Sequence, residues 1–273
     1  MPVAAALSIL GALLLGFTFD LAVAGRLRHS RDQQQGYAAL RADLANATAP
    51  VGQTDLNGTL LVPGRPIAVL EIPALGVREV VREGSTSGVL ASGPGHRRDT
   101  VFPGQAGTSV VLGRAAAYGG PFGRLASLRV GTEVVVTTGQ GRNVFRVIGQ
   151  RRAGDPQPQP PKAGRLTLVT ADGAAFRPDG VLRVDADLVS PVQPAPPRPL
   201  RSLDPSELPM HGDRSALVPL VLWAQLLLAA ALGLTWARSR WGRWQAWIAG
   251  VPVLTALGLA VAEQTARLLP NLL

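Results

Sequence analysis

The chain of 273 residues contains no cysteine. That absence excludes a disulfide framework, a thiolate nucleophile and a cysteine-ligated zinc or iron–sulfur centre. Histidine is scarce: His29, His96 and His211 lie in three separate regions, which leaves no clustered ligand set, so no metal and no cofactor is expected. Lysine occurs once, as Lys162, so arginine supplies nearly all of the 27 basic residues that face 18 acidic ones, for a net charge of +9. Charged residues make up only 16% of the chain and the mean hydropathy is +0.20, which argues against a disordered basic tail and for membrane segments. The basic residues are scattered along the chain, so nucleic acid is not an expected partner; anionic lipid headgroups or acidic wall polymers suit the charge better.

Long apolar runs are what the chain does have. Val3 to Ala24 is interrupted only by Ser8, Thr18 and Asp20, long enough for one crossing of a hydrocarbon core ~30 Å thick. Ala22-Val23-Ala24 resembles a small-residue cleavage site, yet no basic residue precedes the run as a signal peptide requires, which favours an uncleaved anchor. Ala216 to Ala237 is a second membrane-length run and Trp247 to Ala262 a shorter third. Between them stand Arg238, Arg240 and Arg243 with Trp236, Trp241 and Trp244, the composition of a cytoplasmic loop flanked by an interfacial aromatic belt.

Between the first and second runs the pattern is that of an all-β domain. Short β-branched runs at Ile67–Ile72, Val77–Arg82, Ser109–Gly113, Glu133–Thr138, Asn143–Gln150, Arg165–Thr170 and Leu182–Val189 are separated by Gly and Pro turns, a pattern that closes into a small barrel. One short helix is expected at Pro121–Leu128, with Phe122, Leu125 and Leu128 on one face. The expected layout is an anchor over 1–25, a juxtamembrane spacer with no site over 26–66, the β-barrel over 67–189 and a stiff Pro-rich linker over 190–214. A membrane helix over 215–237, a basic loop over 238–246, a second helix over 247–266 and a tail over 267–273 complete it. An arginine-rich loop inside puts both ends of the hairpin, and with them the barrel, on the extracytoplasmic side of a cell membrane.

Read as an ordered set, the β segments carry a family resemblance. Leu70-Glu71-Ile72-Pro73-Ala74-Leu75-Gly76-Val77 opens the set, followed by Gly93-Pro94-Gly95-His96 with Thr100, then Pro103-Gly104-Gln105-Ala106-Gly107. Tyr118-Gly119-Gly120-Pro121-Phe122 with Leu125, Leu128 and Gly131, Leu166-Thr167-Leu168-Val169-Thr170, and Val184 to Val189 complete it. In this order the set resembles the sortases, membrane-anchored cysteine transpeptidases of Gram-positive bacteria, and most closely their class E group. The resemblance implies an eight-stranded closed barrel displayed outside the membrane; with the short helix and the apolar runs above, the expected fold is mainly β, with one N-terminal and two C-terminal transmembrane helices.

The resemblance also implies a catalytic set, and this chain departs from it. The family's thiolate attacks a peptide bond, a histidine protonates the leaving amine and an arginine stabilises the oxyanion. Here the histidine position falls on Arg114, the cysteine position on Ala171 and the arginine position on Val181. No catalytic residue is therefore expected. His96, Arg114, Tyr118 and Arg183 are the candidate groove or ligand-binding residues: Arg114 suits a carboxylate or phosphate, or simply fills space, and Arg183 shares a strand face with Val181. His96 reads as a scaffold histidine, or else as a relocated base. Gln225 is the polar residue within a span best suited to face a partner. The expected function is a pseudoenzyme that binds or scaffolds another envelope protein or membrane complex, through the groove or the hairpin. The alternative is a working transpeptidase or hydrolase with a rebuilt non-cysteine site around His96, Ser109 and Arg114.

Overall fold

The computed structural model describes residues 24–174, 176–241 and 243–273. Eight strands form a closed barrel: β1 (Pro66–Ile72), β2 (Val77–Glu83), β3 (Gly95–His96), β4 (Gly107–Leu112), β5 (Glu133–Thr138), β6 (Gly141–Arg151), β7 (Gly164–Ala174) and β8 (Arg177–Leu188). Their order around the barrel is β1-β2-β3-β4-β7-β8-β6-β5. The pairs β2–β3 and β4–β7 are parallel and the rest antiparallel. Each of the seven runs expected from β-branched composition falls on a strand, Gly113 and Val189 lying one residue past the ends of β4 and β8; the strand they omit, β3, is two residues long and too short to carry an alternation.

Alternation decides which side chains fill the barrel. Leu166 and Leu168 of β7, and Leu182, Val184 and Ala186 of β8, point inward with Ile67, Leu70, Val111, Val134 and Phe145, all buried. Val169 and Ala171 of β7 and Val181 of β8 therefore point outward. The expected helix at Pro121–Leu128 is instead a run of turns ending in a 3-10 helix, Leu125–Ser127. Its amides bond three residues back, Leu125 to Phe122, Ser127 to Arg124 and Leu128 to Leu125. A repeat of three residues per turn aligns Phe122, Leu125 and Leu128 on one buried face, so their spacing serves the tighter helix better than an α-helix.

Segments outside the barrel are less independent of it than their composition suggests. Helix α1 (Gly25–Ala45) packs along β1 and β2 rather than standing off as a spacer. Gln33 of α1 donates to Val80 O (3.2 Å) and Ser92 O (2.8 Å) and accepts from Val80 N (2.6 Å). The Pro-rich connector likewise runs over the barrel surface. Prolines lack donors, so glutamine amides serve its carbonyls: Gln53 reaches Leu200 O at 3.1 Å and Gln140 reaches Pro194 O at 2.7 Å.

Beyond the connector, α3 (Leu217–Trp241) and α4 (Arg243–Leu268) pack against each other as a hairpin. Most of the expected loop 238–246 is therefore helical, as a stretch with no proline and fair helix formers allows. Among the described residues one helix, 214–237, is long and apolar enough to cross a membrane. Leu222, Leu226, Leu228, Leu232 and Trp236 on it are each more than half exposed and together form an apolar surface. The expected first span lies outside the described residues except for Ala24 and Gly25, and the third falls within α4.

Candidate binding groove

The outward residues of β4, β7 and β8 build an apolar groove. Leu112, Val169 and Leu90 form a buried cluster against which Val110, Ala171 and Val181 pack. Leu90 comes from α2 (Ser87–Ser92), a short helix whose first turn is capped by Thr86 accepting from Val89 N. Ala171 and Val181 are direct cross-strand partners, so two of the three positions singled out in the sequence meet at the groove.

The third, Arg114, stands beside them, just beyond β4. Gly113 precedes it because the Phe122 ring leaves no room: an added Cβ would lie 2.4 Å from that ring. Only 1% of Arg114 is exposed, although it carries a guanidinium. Its Nη2 donates to Ser87 O at 3.1 Å and to Ser87 Oγ at 2.8 Å, and its Nη1 donates to the main-chain oxygen of Leu273 at 3.3 Å. The guanidinium carbon lies 4.9 Å from the centroid of the Tyr118 ring, a cation–π contact. Tyr118 holds a left-handed backbone (φ 51°) and is buried. Desolvation pulls the Arg114 pKa down to about 10, against the opposing influence of Tyr118. At that value the group stays cationic at neutral pH and does not act as a base.

The groove is filled. Leu272, with no exposed surface, completes the cluster of Leu90, Leu112 and Val169, and its main-chain oxygen accepts from Ala115 N at 2.9 Å. Next to this closed groove is a polar cavity of about 170 Å³, lined by Arg114, Tyr118, Arg28 and Asp32 of α1, and Glu263 and Arg267 of α4. Glu263 accepts from Arg267 at 3.0 Å, the i+4 pair its spacing suggests, and faces Arg28 at 3.4 Å. Helix α1, in the segment where no site was expected, thus contributes two lining residues.

The other candidates lie elsewhere. His96 is fully buried inside the fold: Nδ1 lies 2.9 Å from Glu83 Oε2, Nε2 lies 2.9 Å from Val101 O, and Phe102 meets the ring edge-on at 5.0 Å. Both ring nitrogens are engaged. Ser109 alternates with the outward Val110, so it faces inward, buried and with its hydroxyl unpartnered. Arg183 pairs across the sheet with Val169 and with Arg151. Among the described residues its side chain makes no hydrogen bond or ion pair, and burial, then Arg151, lowers its pKa. Arg114 and Tyr118 are brought together; His96 and Arg183 are not joined to them.

Comparison with known proteins agrees with this architecture. Residues 70–184 match the family model described as the sortase domain. The barrel is a sortase domain. A search of curated proteins finds no match. Among solved structures, the chain is similar to sortase E from Streptomyces avermitilis, with 30% identity over 48% of this chain and 91% of that one at a TM-score of 0.41. It is also similar to a Clostridium perfringens sortase D5 transpeptidase, with 21% identity over 59% of this chain and 99% of that one at a TM-score of 0.48. Sortase E1 from Streptomyces coelicolor, solved with a tripeptide in its active site, shares 20% identity over 46% of this chain and 90% of that one at a TM-score of 0.42. Against the groove of this sortase domain, the segment to which the sequence reading assigned no site is the tail. Its signal is weak: Leu268, Leu269, Leu272 and Leu273 surround Pro270 and Asn271 with no periodicity.

Proposed function

We propose that this protein is a membrane-held, extracytoplasmic sortase-fold protein of the bacterial cell envelope that binds or scaffolds another envelope component and has no transpeptidase chemistry. The observation that carries this reading is the groove wall itself. Nucleophilic catalysis on a peptide bond needs a nucleophile, a proton donor and an oxyanion stabiliser converging on one point. Ala171 and Val181 present methyl groups there, and Arg114 is a cation at neutral pH already bonded to Ser87 and Leu273. The alternative site around His96, Ser109 and Arg114 gains no support, since His96 is committed to Glu83 and Val101 and the Ser109 hydroxyl has no partner among the described residues. The exposed apolar surface of α3 supports the membrane part of the reading, and the docking of residues 272 and 273 on the barrel supports a common side for barrel and tail.

The test is turnover. Full-length protein in nanodiscs is incubated with sorting-signal peptides and an amine acceptor, and the products are followed by mass spectrometry. The expected result is intact peptide, indistinguishable from a heat-killed blank; hydrolysis or transfer above the blank overturns the reading.

A further inference from the structure

The outer face of β4, β7 and β8 would be a strip of apolar side chains in water if nothing covered it, and what covers it comes from the far end of the described chain. Residues 270–273 fold into a tight turn in which Leu273 N donates to Pro270 O at 3.0 Å. This turn inserts Leu272 into the cluster of Leu90, Leu112 and Val169. Ala115 N reads the Leu272 oxygen and Arg114 reads the Leu273 oxygen, so the groove grips main chain as well as side chain. The opposite flank is held by the connector. Buried Asn271 receives main-chain support from His211 O at 3.0 Å, and its amide donates to Ser206 O at 2.7 Å and Leu208 O at 2.8 Å. At Gly212 the connector approaches α4 so closely that an added Cβ would lie 2.1 Å from Leu268 O.

We propose that the groove is a peptide-binding site whose resident ligand is the chain's own segment Leu269–Leu273, a leucine-bearing turn tethered by α4. The proposal rests on the reading of the groove as a binding site without bond-making chemistry. One leucine pocket, one backbone donor and one guanidinium define the ligand class: a short peptide that presents a leucine at a turn, with two main-chain oxygens facing the barrel. The tether keeps the segment at high effective concentration, so a peptide arriving from outside competes at a disadvantage. The tail then has two consequences. It closes the groove and it clamps the membrane hairpin to the sortase domain.

The experiment uses full-length protein in nanodiscs, a variant lacking residues 269–273, and a full-length Leu272→Asp variant that vacates the pocket without shortening the chain. Each is titrated with a fluorescein-labelled synthetic peptide matching residues 266–273, and with the same peptide carrying aspartate at the position of Leu272. Fluorescence anisotropy is expected to show binding to both vacated proteins at least about tenfold tighter than to the native one. The aspartate peptide is expected to lose about a hundredfold. Equal affinity for native and vacated proteins, or for the two peptides, overturns the proposal. Loss of the folded state in both variants, read by circular dichroism, also overturns it, since the segment would then be part of the core and not a ligand. Mass spectrometry of the recovered peptide separates the two readings: cleavage refutes the non-enzymatic function, whereas an intact peptide that does not bind refutes only the tethered ligand.

Discussion

The amide of Ala115 donates to the main-chain oxygen of Leu272 at 2.9 Å, joining the residue after Arg114 to the tail that follows the helical hairpin. This bond reports directly on the closed groove. In the native protein Ala115 is expected to exchange its amide hydrogen slowly. Leu272→Ala, which removes a buried leucine at a typical cost of about 2–5 kcal/mol, is expected to speed that exchange towards the rate of an open loop. Hydrogen–deuterium exchange with mass spectrometry resolves the two states.

Replacing Ala171 with cysteine supplies a thiol and nothing else. With Arg114 cationic and already bonded, no group among the described residues of the groove is placed to take the thiol proton or to protonate a leaving amine. Ala171→Cys is expected to remain inactive in the peptide-transfer assay. Its alkylation by iodoacetamide, slow in the native background, is expected to accelerate when Leu272→Asp is added, because the cluster around it then opens.

Arg114 holds Ser87 and Leu273 with separate guanidinium nitrogens, a geometry that an ammonium does not reproduce. Arg114→Met is expected to cost about 1–3 kcal/mol, since it leaves buried oxygens without donors, and Arg114→Lys is expected to recover only part of it. Thermal unfolding of the three proteins in the same detergent gives the ranking.

His96 and Glu83 form a buried pair with 0% and 1% of their side chains exposed. Breaking such a pair by removing one partner typically costs about 3–5 kcal/mol. His96→Ala is expected to lower the unfolding midpoint while leaving peptide affinity of the tail-deleted protein within about twofold, because the histidine holds strands rather than ligand. A loss of binding at an unchanged midpoint would return His96 to the groove.

Glu207 anchors the connector: its carbonyl accepts from Ser85 Oγ at 2.8 Å, and its buried carboxylate lies 3.8 Å from Arg98. Desolvation raises its pKa, with Arg98 opposing and Glu83 adding to the rise. A carboxyl whose pKa is higher folded than unfolded contributes stability that is complete below its ordinary value and is lost as pH rises through the raised one. Docking of the connector is therefore expected to weaken as pH rises through that window. Glu207→Gln, uncharged throughout, is expected to flatten the dependence in a pH series of thermal unfolding curves.

The barrel was legible from local pattern because each strand writes its own alternation: β5 runs from Glu133 to Thr138, the bounds its β-branched residues suggest. What needs partners from elsewhere was less legible. The run Phe122, Leu125, Leu128 fits an α-helical face and a 3-10 face alike, and the bonds three residues back decide between them. The Pro-rich connector reads as a stiff spacer, and distant groups, among them the amides of Gln53 and Gln140 and the hydroxyl of Ser85, hold it on the surface.

The sequence by itself determined that this protein has no thiol chemistry, that its core is a small β-barrel, and that apolar helices accompany it. Composition and short-range periodicity carry those facts, since a missing side chain and a repeat of two need no knowledge of distant contacts. Only the tertiary structure decided what occupies the groove. Leu272 sits against Leu90, Leu112 and Val169, and Arg114 reaches at once to Ser87 and Leu273. None of these contacts is local in sequence, and burial of an outward-facing apolar strip is satisfied by whichever segment the path of the chain returns to it.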